Sequence, residues 1–205
     1  MPRSARTALD TETDHQPLTE RYDVVVVGAG IVGLGMAYEA LRQGARVAVV
    51  DRAGAVVGAS VRNFGHACVT PQTGEAAGYA QEARRRWLTL AQLAGFTARE
   101  LGAHVVARRP EEMAVLEEYR DSGAEVRLAD AVEIAAAVPV DPDTALGGAH
   151  LAHDLQVDPR EAAPAIARWL AEQGVTFLWR TPVLEVAAGA VRTGRGVVEG
   201  TRIVV

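Results

Sequence analysis

The sequence predicts an α/β fold, because two buried-type strands are joined by a glycine-rich turn and a helix. Residues 23–27 hold β-branched side chains without polar alternation, which is typical of a parallel strand covered on both faces. Apolar and small residues then recur at helical spacing from Ile31 to Gln43, and Gly44 is placed to end that helix. Residues 46–50 form a second buried strand, which completes a βαβ unit.

The turn after the first strand, Gly28-Ala-Gly-Ile-Val-Gly33, matches the pattern G-x-G-x-x-G. Gly28 permits the tight turn, Gly30 allows close approach of a pyrophosphate, and Gly33 allows the helix to pack against the strand. Backbone N–H groups and the helix dipole would face the anion. With a strand before it and a helix after it, the turn predicts a Rossmann-like dinucleotide-binding domain. The predicted contacts here are Gly28, Ala29, Gly30, Ile31, Val32 and Gly33.

An acidic residue, Asp51, ends the second strand. Its carboxylate is placed to accept hydrogen bonds from the ribose hydroxyls of an adenosine, and it would repel the 2′-phosphate of NADP. The turn and the acid together indicate a dinucleotide, but by themselves they do not separate FAD from NAD.

The middle of the chain predicts an α+β segment inserted into the nucleotide-binding domain. We expect a loop over residues 53–74, a helix from Glu75 to Leu101, and alternating strands and helices up to residue 152. The predicted domains are a mobile extension at 1–21, the nucleotide-binding domain at 22–74 and 153–205, and the insertion at 75–152.

Capping residues and glycines mark the later elements. Asp130 and Glu133 predict a short capped helix, and Asp158 with Pro159 predicts the start of a helix that Gly174 ends. After it we expect strands at 175–178, 183–187, 190–193 and 197–200, which form a small meander, and a separate last strand at 202–205.

Bulk properties exclude several classes of function. The net charge of -5 lacks the basic excess that binding to a nucleic-acid backbone needs. No apolar run reaches the roughly 20 residues that span a bilayer, and residues 1–20 lack the apolar core of a signal peptide. We expect a soluble, cytoplasmic protein that binds neither nucleic acid nor membrane.

The sequence does not predict a metal site. The single cysteine, Cys68, excludes an internal disulfide and a multi-thiolate site. His150 and His153 are followed by no third ligand at a typical spacing, so we interpret them as structural, and His66 likewise. Three consecutive arginines, residues 84–86, are interpreted as a solvated helix face.

Beyond the second strand, the pair Asp51-Arg52 and the segment Gly58-Ala-Ser-Val-Arg-Asn-Phe-Gly65 resemble the D-amino-acid oxidase superfamily, in its glycine and sarcosine oxidase branch. In that family this segment lies against the pyrophosphate, the ribityl chain and the flavin ring. The resemblance therefore implies FAD as the cofactor. It adds the binding residues Arg52, Ser60, Val61, Arg62 and Asn63, and Val183, whose backbone would meet the adenine.

The version of the segment from Ser60 to Gly65 is especially similar to FAD oxidoreductases linked to aminophosphonate breakdown. The resemblance implies that a hydride passes from the carbon bearing an amine to the flavin, that water hydrolyses the imine, and that O2 or another acceptor reoxidises the flavin. The expected partners are a small amine substrate and that acceptor. No catalytic acid, base or nucleophile is identified, and neither the substrate nor the oligomeric state follows from the sequence.

The resemblance runs from Arg21 to Val205 but corresponds to about the first half of a family member. We therefore expect the C-terminal half of the fold to be missing, and the chain alone to have little activity. Three alternatives stay open: an NAD-type dehydrogenase, a flavin dehydrogenase that passes electrons to a carrier, and a non-catalytic nucleotide-binding fragment.

Overall fold

The computed structural model describes residues 21–205, which form two compact units. The first contains the described residues up to Gly54 together with Gly174–Val205, and the second is Ala55–Gln173. These limits differ from those of the predicted domains, whose functional assignment stays a prediction. The predicted N-terminal extension lies outside the described residues, apart from Arg21, which begins the first strand.

Strands and helices follow one another in both units. The strands are β1 (Arg21–Val27), β2 (Val47–Val50), β3 (His66–Ala67), β4 (Ala98–Arg99), β5 (Ala103–Ala107), β6 (Val126–Asp130), β7 (Gly147–Leu151), β8 (Leu155–Val157), β9 (Thr176–Leu178), β10 (Val183–Ala187), β11 (Ala190–Thr193) and β12 (Gly196–Val204). The helices are α1 (Ile31–Arg42), α2 (Gly74–Ala94), α3 (Pro110–Asp121), α4 (Ala131–Ala137) and α5 (Pro159–Glu172), with short 3-10 helices at Gly58–Val61 and Pro142–Thr144.

The first unit is built on a six-stranded sheet with the order β10-β11-β12-β1-β2-β9. Strands β12, β1, β2 and β9 run parallel, and α1 connects β1 to β2. The predicted βαβ unit is therefore confirmed, and all four residues of β2 are buried, as its apolar run predicted. Strands β10, β11 and β12 form an antiparallel meander at one edge.

The end of the chain differs from the prediction of two separate strands. Strand β12 is continuous and pairs with β11 through its first half and with β1 through its second half. Gly200 lies inside it, where a Cβ atom would come 2.7 Å from Cγ2 of Val25. This glycine therefore permits close packing against the core instead of ending a strand.

The second unit contains two three-stranded antiparallel sheets, with the orders β3-β8-β4 and β5-β7-β6. The prediction of a helix from Glu75 to Leu101 is wrong at its end. Helix α2 stops at Ala94 because Gly95 adopts the left-handed conformation, with φ 73°, and the chain then enters β4.

Two helix starts match their predicted caps. Asp130 accepts from the N–H of Glu133, and the Glu133 side chain accepts from the N–H of Asp130 in return. Asp158 accepts from the N–H of Arg160 at the start of α5, where Pro159 occupies the first helical position. Within residues 21–205, no helix combines the length and the apolar character needed to cross a bilayer.

Candidate functional site

The glycine-rich turn of the first unit joins β1 to α1. Gly28 has φ 106°, a value that a residue with a side chain rarely adopts, and its N–H donates to the carbonyl of Val50, 2.8 Å away. Gly30 occupies the N-cap position of α1, and its cap includes no side-chain hydrogen bond. The positive end of the helix dipole is therefore not neutralised by a capping side chain.

Gly33 decides how closely α1 approaches this turn. A Cβ atom at Gly33 would lie 2.0 Å from the carbonyl oxygen of Gly28 and 3.2 Å from Cγ1 of Val26. Backbone cannot yield at such a distance, so any side chain here displaces the helix from the strand. Gly35, two residues further along the helix, has no atom within 4 Å of the equivalent position.

Asp51 faces the glycine turn. Its Oδ2 accepts from the N–H of Ala29 at 2.6 Å, and its Oδ1 accepts from the N–H of Ala53 at 2.7 Å. An ionised carboxylate offers about four lone-pair positions, so two of them are left for further donors. The carboxylate is thus held at the mouth of the turn, with acceptor capacity to spare.

A cavity of about 350 Å³ in the first unit opens beside Asp51. It brings together four of the predicted cofactor contacts, Gly28, Asp51, Arg52 and Val183. The other lining residues are Val27, Val50, Thr181 and Pro182. Ala29, Gly30, Ile31, Val32 and Gly33 do not line this cavity and form the turn and the first residues of α1 next to it.

Thr181 contributes to this cavity in a way that sequence reasoning missed. It is fully buried, and its N–H donates to the carbonyl of Asp51 at 2.8 Å. Nearby, the N–H of Arg180 donates to the carbonyl of Ala53 at 2.9 Å. These two bonds hold the segment before Val183 against the end of β2. A helix amino end without a capping side chain, a carboxylate with free acceptors and a cavity beside that carboxylate fit the ADP half of a dinucleotide.

The predicted contacts Ser60, Val61, Arg62 and Asn63 belong to the second unit, in and just after the 3-10 helix. The Asn63 side chain is committed to its own loop. Its Nδ2 donates to the carbonyl of Ala59 at 2.9 Å, and its Oδ1 accepts from the N–H of Gly65 at 2.8 Å. Asn63 therefore shapes the loop itself.

Gly65 fixes where this loop meets β8. Its φ is 76°, and a Cβ atom would lie 1.8 Å from the carbonyl oxygen of Val157. The N–H of Val157 donates in turn to the carbonyl of Gly65, 2.9 Å away. The Asn-Phe-Gly sequence thus combines a turn conformation with a close backbone approach that only glycine permits.

His66 and Asp154 form a pair that the sequence did not reveal. Asp154 is fully buried and accepts from the N–H groups of Val69 and Thr70, at 3.0 and 2.6 Å. Its other oxygen lies 2.5 Å from Nε2 of His66. Burial raises the pKa of Asp154, but the hydrogen bonds from Thr70, His66 and Val69 outweigh it and hold the pKa below its usual value.

Cys68 lies beside this pair, and one donor atom each of His66, Cys68 and Asp154 fall within 4.8 Å of one another. Such a group could hold a metal ion. The carboxylate of Asp154, however, already accepts three hydrogen bonds. These bonds give Asp154 a structural role, and the absence of a metal site stays a prediction.

The remaining polar residues to which the sequence analysis gave no functional role contact other side chains of the protein. His150 lies opposite His104, with ring centroids 4.7 Å apart, and His153 contacts the carboxylate of Glu125. The three consecutive arginines pair with glutamates, Arg84 with Glu100 and both Arg85 and Arg86 with Glu82. Arg85 and Arg86 thus agree with the interpretation as a solvated helix face, whereas the Arg84 side chain is only 20% exposed.

Comparison with known proteins identifies similar chains. The family model DAO, described as FAD dependent oxidoreductase, matches residues 23–205. L-proline dehydrogenase from P. horikoshii superposes with a TM-score of 0.79 at 23% identity, over 92% of this chain and 52% of that one. Glycine oxidase from Geobacillus kaustophilus superposes with a TM-score of 0.77 at 22% identity, over 90% of this chain and 55% of that one. L-amino acid deaminase from Proteus myxofaciens superposes with a TM-score of 0.79 at 19% identity, over 92% of this chain and 46% of that one.

These structural matches establish the fold. The chain spans about half the length of each solved structure, with 52%, 55% and 46% of those chains covered. A search of curated protein sequences found no match.

Proposed function

Since the chain belongs to the DAO family of FAD dependent oxidoreductases, we propose that it binds FAD and takes part in oxidising the C–N bond of a small amine or amino acid. The family assignment confirms the predicted cofactor and enzyme class, and it favours FAD over the NAD alternative. One observation carries the proposal for the site, namely the Asp51 carboxylate facing the glycine turn beside a cavity that Val183 also lines.

In the first unit each group has a distinct task. The amino end of α1, at Gly30, receives the diphosphate, because its dipole favours an anion and no side chain caps it. Asp51 accepts hydrogen bonds from the ribose hydroxyls through its remaining lone pairs. Val183, which also lines the cavity, contacts the adenine through its backbone.

In the second unit we assign Ser60, Val61, Arg62 and Asn63 to the remainder of the cofactor, as the resemblance implies. Arg62 offers a planar guanidinium that suits a phosphate or an anionic ring. Asn63 keeps the loop in shape through its bonds to Ala59 and Gly65. FAD, when bound, supplies the acceptor for the hydride that leaves the carbon bearing the amine.

The substrate class is proposed on two grounds. The names of the similar structures refer to proline, glycine and other amino acids as substrates. The segment from Ser60 to Gly65 resembles enzymes linked to aminophosphonates, so an aminophosphonate is the more specific proposal. The electron acceptor is O2 or a carrier, and peroxide release under air separates the two.

Titration of the purified chain with FAD tests the cofactor site. The variant Gly33→Ala pushes α1 away from Gly28, so we expect FAD binding weakened by at least about tenfold. Gly35→Ala in the same helix meets no atom within 4 Å and is the matched control, with unchanged affinity. Flavin fluorescence quenching gives both affinities.

Asp51→Asn provides a second measurement at the same site. The amide loses the charge and half of the acceptor positions, so we expect FAD affinity to fall by about tenfold. Asp143→Asn, at an exposed acid of the second unit, is the control for loss of one negative charge. Equal affinities for Asp51→Asn, Gly33→Ala and the two controls, with all four variants folded, would contradict the proposed site.

A further inference from the structure

The second unit contains its own cavity, of about 450 Å³, and of the predicted cofactor contacts only Asn63 lines it. Its volume falls in the range of small-molecule sites, roughly 300–1,000 Å³. The lining residues are Asn63, Phe64, Thr97, Arg99, Gln156, Val157, Asp158, Pro159, Arg160 and Glu161. We infer that this cavity binds the anionic group, carboxylate or phosphonate, of a small molecule that also carries an amine.

Two strands of the sheet β3-β8-β4 contribute to the cavity, β4 through Arg99 and β8 through Gln156 and Val157. Strand pairing sets Gln156 opposite Arg99 on one side and opposite His66 on the other. Residues paired across an antiparallel sheet share a face, so these three side chains form one row. Leu155 and Val157, on either side of Gln156, are buried, whereas Gln156 is exposed. Of this row, Arg99 and Gln156 line the cavity.

Two arginines line the cavity, Arg99 and Arg160. Within residues 21–205, neither side chain makes a hydrogen bond or an ion pair, whereas Arg84, Arg85 and Arg86 all pair with glutamates. Both guanidiniums are therefore open to a ligand. The planar fork of arginine matches the oxygens of a carboxylate or a phosphonate.

Opposite charge is present in the same cavity. Asp158 accepts from the N–H of Arg160 with one oxygen, and Glu161 lines the cavity beside it. A ligand with only a negative charge would meet both carboxylates unfavourably. A molecule with an ammonium at one end and an acid group at the other satisfies both signs.

Phe64 adds an apolar wall. Its side chain is 81% exposed, although it stands between Asn63 and Gly65 in a loop held by hydrogen bonds and close backbone contact. An exposed aromatic residue on a rigid loop beside a polar cavity offers contact area at little cost in entropy. It suits the short carbon chain of such a ligand.

That the ligand is a substrate rests on the proposed function, whereas anion binding in this cavity does not. Calorimetry on the purified chain with three probes separates the contribution of the ligand's acid group from that of its amine. The probes are 2-aminoethylphosphonate, β-alanine and propylamine. We expect the first two to bind and propylamine not to bind, because it lacks the acid group. The tighter of the first two identifies the preferred acid group.

Variants of the two arginines test the assignment. Arg99→Gln and Arg160→Gln each remove one charge-assisted contact, so we expect each to weaken binding by about tenfold. Arg168→Gln, at an exposed position of α5 outside the cavity, is the matched control and changes the affinity by less than about twofold. Glu161→Gln should weaken 2-aminoethylphosphonate but not ethylphosphonate, which lacks the amine.

The same variants are titrated with FAD, and their melting curves check the fold. Loss of probe binding with unchanged FAD affinity supports the inference. If folded Arg99→Gln or Arg160→Gln loses affinity for both the probe and FAD, the arginines belong to the cofactor site and the inference is overturned. Unchanged probe binding in both variants would also overturn the inference. The same holds if the parent chain does not bind the probes. Probe binding by a chain that does not bind FAD would refute the proposed function and leave this site standing.

Discussion

The carboxylate of Asp154 lies 2.5 Å from the imidazole of His66, although 88 residues separate them in the sequence. The same carboxylate accepts from the N–H groups of Val69 and Thr70. One buried side chain thus holds the turn after β7 to β3 and the residues that follow it. This contact stabilises the sheet β3-β8-β4 of the second unit.

Replacing Asp154 should therefore destabilise the chain. Asp154→Ala leaves two backbone N–H groups without acceptors in a buried place, at an expected cost of about 2–4 kcal/mol in the free energy of unfolding. Asp154→Asn keeps one carbonyl oxygen and should cost less. Urea denaturation measures both, with the exposed Asp143→Ala as control. A loss no greater than in the control would mean that the contact is not formed in solution.

The contact between Asp154 and His66 should also affect how the stability of the chain depends on pH in acid. The pKa of Asp154 lies below its usual value in the folded chain, so the folded state holds this proton less tightly than the unfolded chain does. Its stabilising contribution is complete above the unfolded pKa, about 3.9, and is lost as the pH falls through the lower folded pKa. Urea midpoints measured down to acid pH should fall less steeply for Asp154→Asn than for the parent chain.

His104 should give a second dependence on pH, in a higher range. Burial lowers the pKa of His104, and the neighbouring charges of His150 and Arg127 lower it further. The folded chain therefore binds fewer protons than the unfolded one, so stability falls as the pH drops through about 6.5.

Unfolding in urea at about pH 7.5 and about pH 5.5 measures this dependence on His104. His104→Gln should reduce the difference between the two conditions. A difference as large as in the parent chain would show that other groups cause it.

Alanine at two glycines of the same loop should show how much stability is lost through backbone conformation and how much through a close contact. Gly65 and Gly58 both have positive φ, but only Gly65 has a backbone atom within 2 Å of the position of a Cβ. We expect Gly58→Ala to cost about 1 kcal/mol, from conformation alone, and Gly65→Ala to cost at least about 3 kcal/mol. Equal losses in the unfolding free energy would contradict the approach of Gly65 to Val157.

Asn63 should act through the shape of its loop. Asn63→Ala removes the bonds to Ala59 and Gly65, at an expected cost of about 1 kcal/mol in unfolding free energy. Asn63→Asp keeps an acceptor for Gly65 and loses only the donor, so it should retain more stability. Full stability in both variants would show that these two hydrogen bonds do not hold the loop in solution.

Local features could be predicted wherever the signal lies within a few neighbouring residues. The βαβ unit follows from the apolar run of β1, the turn at Gly28 and the spacing in α1. The caps at Asp130 and Asp158 are equally local, because their hydrogen bonds span two or three residues. FAD was reached by resemblance and is confirmed by the family match, since the glycine turn alone suits NAD as well.

Other features were missed because their cause lies far away in the chain. Strands β3, β4 and β8 are only two or three residues long, too short for any period to be visible. They exist because each finds a partner strand distant in sequence. The end of α2 at Gly95 was missed because apolar residues continue beyond it, up to Leu101, and those that follow belong to other elements.

The sequence by itself determined the βαβ unit, the glycine turn with its acid and, through resemblance, the family, because these depend on neighbouring residues. The tertiary structure alone decided that Asp51 faces Ala29, that Thr181 lines the cavity beside it, and that His66, Gln156 and Arg99 form one row. Pairing of distant strands brings those residues together, and no spacing along the chain records which strands will pair.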